Sequence, residues 1–234
     1  MKAKIIAVMG PVGVGKSTVI KVLTHFFNKG GFKTKSTYIK AFHGPSYLLW
    51  KVIRYILAPK ENGKLASWYV VGKVNKRIAR LLLLTSIYLD IITLPFMLVL
   101  KVKLPKYLGI TVLVEEYLLG TLLDYIYSFY KLEMAGRLYR LLPFRVLTLL
   151  CVKCKPDFAA LLDANLCEIR RHWDTRGYGD IQVEYVLLQR RFLPKLAHAF
   201  YDKRAMDFNI ALVSPTEIAK KIFKCCDEFV KRCW

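Results

Sequence analysis

Nine consecutive residues near the amino terminus have the types and spacing needed to bind a phosphate chain. They are Gly10, Pro11, Val12, Gly13, Val14, Gly15, Lys16, Ser17 and Thr18, of which the first eight satisfy the pattern G-x-x-x-x-G-K-[ST] in full. The glycines let backbone N–H groups surround an anion without side-chain clash, and a helix beginning near Lys16 would direct its positive end at the same phosphates. In this pattern the lysine contacts the β and γ phosphates and the serine hydroxyl ligates Mg²⁺. All nine residues are therefore predicted to bind ATP, with Mg²⁺ as a cofactor.

Two acids follow an apolar run of strand type in the middle of the chain. Glu115 and Glu116 come directly after Val112, Leu113 and Val114. A protein with this phosphate loop places an acid at the end of a neighbouring strand, where it holds a magnesium-bound water. We assign that role to Glu115, which with Ser17 forms the predicted metal site. Glu116 leaves two interpretations open: a base that polarises a hydrolytic water, or a solvated loop charge.

A cluster of arginines beside two glycines suggests a lid over the transferring phosphoryl group. Arg170, Arg171 and Arg176 precede Gly177 and Gly179. Guanidinium groups on a glycine-hinged flap can neutralise the migrating phosphoryl group while the flap excludes water. We predict that Arg171 and Arg176 act with Lys16 as catalytic residues; the alternative is a solvated basic turn.

The order of the elements determines which of these residues can meet. Helices are predicted at 17–28 and 157–169, and a capping box with proline at its first position, Ser214 to Glu217, opens the last helix. Apolar or β-branched runs predict strands at 4–9, 35–41, 110–114, 146–154 and 208–213. Strands that alternate with helices in this way predict an α/β fold with a doubly wound, parallel five-stranded sheet flanked by helices.

The segment from Leu81 to Leu100 is the one apparent conflict with that fold. It carries a single charge, Asp90, and basic residues flank it, so hydropathy alone makes it a candidate membrane span. A span would separate the strand ending at Met9 from the strand ending at Val114, whose side chains must meet. We therefore predict a long core helix, bent or ended near Pro95, with a membrane-facing role as the alternative.

Composition excludes a disordered chain and points to anionic partners. The 234 residues are 55% hydrophobic, with 38 Lys and Arg against 17 Asp and Glu and a formal net charge of +21. The positive charge is distributed along the chain, so phosphates or an anionic membrane surface are favoured partners. Without an aromatic-basic platform, binding of nucleic acid is not expected. Because no secretory leader is recognised, a cytoplasmic location is expected, with peripheral membrane contact as an open alternative.

Together these features resemble the thymidylate kinase family of P-loop nucleoside monophosphate kinases. The resemblance rests on the phosphate loop, the strand and acid at Glu115, and the arginine-bearing segment at 168–182. It implies one domain over 1–234, a helical acceptor-site insertion at about 44–105 and a lid at about 168–182. The family's arginine after the third strand is replaced by Glu116, and its Arg-Glu-Pro-Gly segment by 40–45, where Lys40 could supply the lost positive charge.

The leading hypothesis is ATP- and Mg²⁺-dependent phosphoryl transfer to a nucleoside monophosphate or a related small phosphorylated acceptor. The alternatives are a P-loop ATPase that uses Glu116, and a nucleotide-binding module peripheral to a membrane. A homodimer is a further partner left open.

Overall fold

The structure is a computed structural model that describes residues 3–59, 66–175 and 182–231, with side chains to Cys226. Five strands lie in that part of the chain: β1 (Ile5–Met9), β2 (Thr34–Tyr38), β3 (Thr111–Glu115), β4 (Phe158–Asp163) and β5 (Ala205–Asn209). The α-helices are α1 (Lys16–Lys29), α2 (Pro45–Leu57), α3 (Ser67–Val74), α4 (Lys76–Leu98), α5 (Leu104–Tyr107), α6 (Leu118–Lys131), α7 (Ala135–Leu138), α8 (Leu142–Lys153), α9 (Leu166–Thr175), α10 (Val183–Tyr201) and α11 (Pro215–Lys231).

The strands form one parallel sheet in the order β2-β3-β1-β4-β5. The predicted α/β fold with a doubly wound five-stranded sheet flanked by helices is confirmed. β1 and β3 pair directly, with Val8 opposite Glu115. Because both strands run the same way, the loop after β1 and the acid that ends β3 lie at the same edge of the sheet.

Alternate residues of the strands belong to two separate apolar cores, one on each face of the sheet. Ile5, Ala7 and Met9 pack in one core with α2, α3, α4, α6, α7, α8 and most of α10, whereas Ile6 and Val8 pack in the other with α1, α9, α11 and Val186 of α10. This is the period of two expected of a strand buried on both faces. The sheet is thereby fixed in register, and the residues at its carboxyl edge are held in place.

The predicted fourth strand, 146–154, is wrong, because that segment belongs to α8. Helix α8 has Pro143 in its first turn and buries Phe144, Leu147 and Cys151, which are three and four residues apart. The true strand is β4, whose sequence FAALLD lies in the segment predicted as the helix 157–169. Alanine favours helices in isolation, but β4 lies between β1 and β5, where burial on both faces decides the outcome. The turn at 155–157 therefore leads into a strand, and α9 follows it.

The fifth strand is also displaced from its predicted bounds of 208–213. β5 ends at Asn209, whose side-chain oxygen accepts a hydrogen bond from the Ala211 N–H at 3.0 Å. This local bond turns the chain, as asparagine commonly does. The capping box that follows is confirmed, because Ser214 and Glu217 exchange side-chain and backbone hydrogen bonds at the start of α11.

The predicted long core helix is confirmed, because α4 buries Leu83, Ile87 and Leu94 in the core, but it does not end at Pro95. It runs on through a π-helical turn, Val99–Lys103, into α5. In the described residues the stretch Lys76–Tyr107 is long and apolar enough to cross a membrane by length and composition, with 39% of its most apolar window buried. This stretch does not separate β1 from β3, because the two strands pair directly in the sheet. Its outer face exposes Leu81, Ile92 and Phe96. Contact of this face with an anionic membrane or a second copy stays a prediction.

Candidate active site

The loop between β1 and α1 has a backbone that requires glycine at defined points. Gly10 and Gly13 have positive φ angles, of 150° and 90°. A Cβ atom on Gly10 would lie 2.3 Å from the Leu162 carbonyl oxygen, and one on Gly13 would lie 3.3 Å from the Ile169 carbonyl oxygen. The loop is therefore packed directly against β4 and α9, and its shape depends on the missing side chains.

We expect Gly10→Ala to destabilise the protein strongly. The new methyl group would overlap the backbone of β4, which cannot move without disturbing the sheet. In addition, alanine disfavours the positive φ that residue 10 adopts. The free energy of unfolding should fall by about 3 kcal/mol or more in urea denaturation.

Gly136→Ala is the matched control. A Cβ at Gly136 in α7 would meet nothing within 4 Å, and this glycine does not have a positive φ. Its stability should stay the same or rise by about 0.5–1 kcal/mol. Equal stability losses in the two variants would contradict the packing described for Gly10.

Lys16 is buried inside the loop and has an acceptor for each of its N–H bonds. Its Nζ donates to the carbonyl oxygens of Gly10 at 2.8 Å and Pro11 at 2.9 Å. The same atom lies 3.1 Å from Glu116 Oε1, and only 5% of the lysine is exposed. A buried ammonium group requires such partners. The positive charge is therefore held at the start of α1, where phosphates would meet it.

The predicted metal-binding pair lies together at the sheet edge. The Ser17 hydroxyl donates to the Glu115 carboxylate, at 2.8 Å from Oε1 and 3.0 Å from Oε2. A serine hydroxyl and a carboxylate are the hard oxygen ligands that Mg²⁺ prefers. The donor set therefore suits Mg²⁺.

Glu116 is not a solvated loop charge. It is 8% exposed and adopts a left-handed backbone conformation with φ of 59°, which directs its side chain to Lys16. Burial alone would raise the pKa of Glu116, but the charges of Lys16 and Lys40 outweigh it, so the pKa is lowered. Glu116 is thus an ionised, paired carboxylate, which makes it a weak base for activating water.

The arginine-bearing segment is brought to the phosphate loop, although its far end lies outside the described residues. Helix α9 packs over Gly13, and His172 Nδ1 lies 3.0 Å from the Gly13 carbonyl oxygen. Arg171 is on this helix with its side chain exposed. Arg176 and the rest of the predicted lid to 181 fall outside the residues that the structure describes. The role of Arg171 in catalysis stays a prediction.

A cavity of about 600 Å³ opens at the end of β2 and along the middle of α6. Its walls come from the loop after β2, α2, α3, α6 and the start of α10, and they are largely aromatic; they include Phe42, Trp50, Trp68, Tyr127 and Tyr185. The loop after β2 is held by Asp90 of α4, which accepts hydrogen bonds from the Phe42 N–H at 2.7 Å and the Tyr125 hydroxyl at 2.6 Å. Asp90 therefore supports one wall of the cavity.

Asp124 is the carboxylate in the cavity wall, and a chain of hydrogen bonds joins it to the phosphate loop. The Val12 N–H donates to Gln189 Oε1 at 3.4 Å, and Gln189 Nε2 donates to the Tyr185 hydroxyl at 2.9 Å. The Tyr185 hydroxyl in turn donates to Asp124 Oδ1. Burial, reinforced by the charge of Glu116, raises the pKa of Asp124 to about 6, although Lys40 and Tyr185 oppose the shift. The cavity and the phosphate loop thus share one polar network.

Because the pKa of Asp124 is raised in the folded protein, the contribution of this residue to stability should depend on pH. Because the folded carboxyl group has a higher pKa than its ordinary value of 3.8, the folded state binds the proton more tightly than the unfolded state. The stability that Asp124 contributes is fully present below the ordinary pKa of 3.8 and is lost as pH rises through the folded pKa. The free energy of unfolding of wild type, minus that of Asp124→Asn, should therefore fall between about pH 4 and about pH 6 and then level off. Urea denaturation across this range measures it; a constant offset between the two proteins would contradict it.

The sequence-based prediction missed Asp124, Tyr185, Gln189 and His172. No short motif surrounds them, and they lie on three different helices. One signal was available for Asp124. It follows Gly120 by four residues, the spacing that places both on one face of a helix leaving the sheet edge.

Comparison with known proteins supports the fold alone. No protein-family model matches the chain, and no curated protein matches it. Among the solved structures that match is thymidylate kinase from Candida albicans, with a TM-score of 0.53 and 12% sequence identity over 97% of this chain and 92% of that chain. Of the resemblance predicted from the motifs, the fold is thus confirmed. The chain has a distant thymidylate kinase-like fold, which is a P-loop NTPase fold, over nearly its whole length.

Proposed function

We propose that this protein is an ATP- and Mg²⁺-dependent phosphotransferase that moves the γ-phosphoryl group to a nucleoside monophosphate or a related small acceptor. The observation that carries the proposal is the connection of the aromatic cavity to the phosphate loop. Asp124 and Tyr185 line the cavity, and Gln189 joins Tyr185 by hydrogen bonds to the Val12 N–H of the loop. A P-loop ATPase needs no second cavity of this size, whereas a kinase needs one for its acceptor.

Each residue of the loop edge would have a defined part. The loop amides and Lys16 would bind the phosphates, and Ser17 with Glu115 would hold Mg²⁺. When bound, this metal neutralises charge that develops on the phosphoryl oxygens. Arg171 and Arg176 would approach from the lid and exclude water.

Lys40 would replace the arginine that Glu116 displaces. It lines the cavity at the end of β2, and its charge lowers the pKa of Glu116. A phosphate on the acceptor would therefore be placed near Lys40, at the end of the cavity that adjoins the loop. The acceptor oxygen would then attack the γ phosphorus in line, and the bond to the bridging oxygen of ADP would break without a covalent enzyme intermediate.

The ATPase alternative receives less support from this site. It requires Glu116 to orient a hydrolytic water, yet that carboxylate is buried against Lys16 with a lowered pKa. A base tuned for such work has a pKa near the working pH.

The test is acceptor-dependent ADP formation. Purified full-length protein is incubated with ATP and Mg²⁺, with and without each of a set of nucleoside monophosphates, and both ADP and phosphorylated acceptor are quantified. We expect ADP to form only with an acceptor and in equal amount to phosphorylated product. ADP that forms equally without acceptor, and is lost in Glu116→Gln, would instead establish the ATPase; no ADP under any condition would overturn both.

A further inference from the structure

The acceptor cavity contains a buried hydrogen-bond acceptor and a buried donor that have no partners among the described residues. Asp124 is 7% exposed; its Oδ1 is bound by Tyr185 and its carboxylate also interacts with the Ala41 backbone N–H, whereas its Oδ2 has no hydrogen bond of normal geometry within the described residues. Trp50, 1% exposed, also lines the cavity, and its Nε1–H has no acceptor in the same part of the chain. Buried polar atoms are nearly always satisfied, so a group that enters this cavity is expected to satisfy these two.

The walls around these atoms favour a flat ring. The ring centroids of Trp68 and Tyr127 are 5.7 Å apart in an edge-to-face contact, and those of Tyr127 and Tyr185 are 4.8 Å apart. Phe42 and Trp50 also meet edge to face, with 6.2 Å between their ring centroids. Aromatic side chains from five elements therefore surround the space. Its volume of about 600 Å³ lies within the range of small-molecule sites. A planar heteroaromatic ring with polar edges fits both the aromatic walls and the two unpartnered atoms.

The charge of Asp124 determines which edge that ring must present. At neutral pH an ionised carboxylate only accepts hydrogen bonds, so it favours an exposed N–H group. An amino group on a ring offers such a donor at the edge. The single N–H of a uracil or thymine ring lies between two carbonyl oxygens, which would approach the negative carboxylate closely. Asp124 should therefore discriminate against those two rings.

The position of Asp124 also assigns it to the ring rather than to the reacting end of the acceptor. It lies in the middle of α6, whereas Glu116 precedes that helix and contacts Lys16 of the phosphate loop. Gly120, four residues before Asp124 on the same face of α6, has no side chain, and a Cβ there would lie 3.0 Å from Glu116 Oε2. The face of α6 thus runs from the phosphate loop at Glu116 to the aromatic end of the cavity at Asp124.

We propose that the acceptor of this enzyme carries an amino-bearing nucleobase, whose N–H group donates to Asp124 Oδ2, and that Asp124 is a specificity-determining residue. This inference rests on the proposed phosphotransferase function for the identity of the site, but it concerns recognition and can be measured without turnover. Tyr185 and Gln189 would act as positioning residues, since they hold the carboxylate and join it to the Val12 amide.

Matched ligand pairs test the proposal in the wild-type protein. CMP and UMP differ by an amino group against a carbonyl group, and GMP and IMP differ by one amino group. Calorimetric titration of the full chain, without ATP, should show at least one amino-bearing member binding about tenfold or more tightly than its partner. Equal affinities within both pairs, tighter binding of UMP and IMP, or no measurable binding of CMP, GMP and AMP would each overturn it.

Variants then identify the residue responsible. Asp124→Asn offers an N–H donor in place of the charge. In this variant the tighter binding of the amino-bearing ligand over its partner should fall to about threefold or less. Asp202→Asn, an exposed aspartate on the far side of α10, should keep the wild-type preference. If Asp124→Asn kept the full preference, Asp124 would not be the discriminating residue. If Asp124→Asn did not fold, the wild-type titrations would still decide the proposal.

Turnover separates failure of this inference from failure of the proposed function. If ADP formation depends on an acceptor but is as fast with UMP or dTMP as with CMP, GMP and AMP, the inference is wrong and the phosphotransferase stands. If the amino-bearing ligands bind selectively but none of them supports ADP formation, the recognition site stands and the proposed reaction is wrong.

Discussion

Lys16→Ala is expected to reduce turnover by about a thousandfold or more and to destabilise the fold as well. The variant removes the cation that would bind the β and γ phosphates. It also leaves Glu116, 8% exposed and 3.1 Å from the lysine nitrogen, as a buried carboxylate without its partner. Loss of one partner from a buried ion pair costs about 3–5 kcal/mol. Steady-state kinetics and urea denaturation measure the two effects.

A double variant separates these two roles of Lys16. In Lys16→Ala with Glu116→Gln the unpaired charge is absent, so most of the lost stability should return while turnover stays at background. Lys21→Ala removes an exposed lysine on α1 and should change neither property measurably. Wild-type turnover in Lys16→Ala would refute the assignment of the phosphate loop.

Glu115→Gln is expected to reduce turnover by about a hundredfold and to raise the Mg²⁺ concentration needed for half-maximal rate. The glutamine keeps the size of the side chain and can still accept the Ser17 hydrogen bond, now 2.8 Å long, but it lacks the charge that would hold the metal's water. Stability should change little, because the pair is only partly buried. A Mg²⁺ titration of the initial rate provides the measurement.

Glu133→Gln is the control for this variant. Glu133 is an exposed acid that contacts Lys76 and Arg80 and has no contact with the loop. Its Mg²⁺ dependence should match that of wild type. Should Glu115→Gln share that behaviour, Glu115 would have no part in holding the metal.

The phosphate loop and the acid at β3 could be predicted from sequence because their geometry is local. The loop needs only glycines, a lysine and a serine at fixed spacing, and the sheet order then follows from strands that alternate with helices. The Ser17–Glu115 contact joins residues 98 positions apart, yet it follows from the pairing of β1 with β3. A motif and a topology together were sufficient here.

The error at β4 shows where local sequence ceases to decide. Both the segment 146–154 and the segment 158–163 are short apolar runs, which can form either a strand or a buried helix. The choice was made by packing: β4 fills the position between β1 and β5, and its two alanines at 159 and 160 are fully buried there. No pattern within either segment carries that information.

The acceptor side of the site was beyond prediction for a related reason. Its aromatic walls come from five separate elements, and Asp124 meets Tyr185 across 61 positions of sequence. The position of Glu116 after β3 could be predicted from sequence, but its role could not, because that role depends on burial against Lys16. Contacts between helices, rather than spacing along the chain, determine these environments.

The most direct test of the central claim is a calorimetric titration of the full-length protein with ATP in the presence of Mg²⁺. The account predicts binding of one ATP per chain, weakened about tenfold or more when Mg²⁺ is chelated and abolished in Lys16→Ala. Folded protein that gives no heat beyond dilution with Mg²⁺ and ATP, or with GTP in its place, would contradict it.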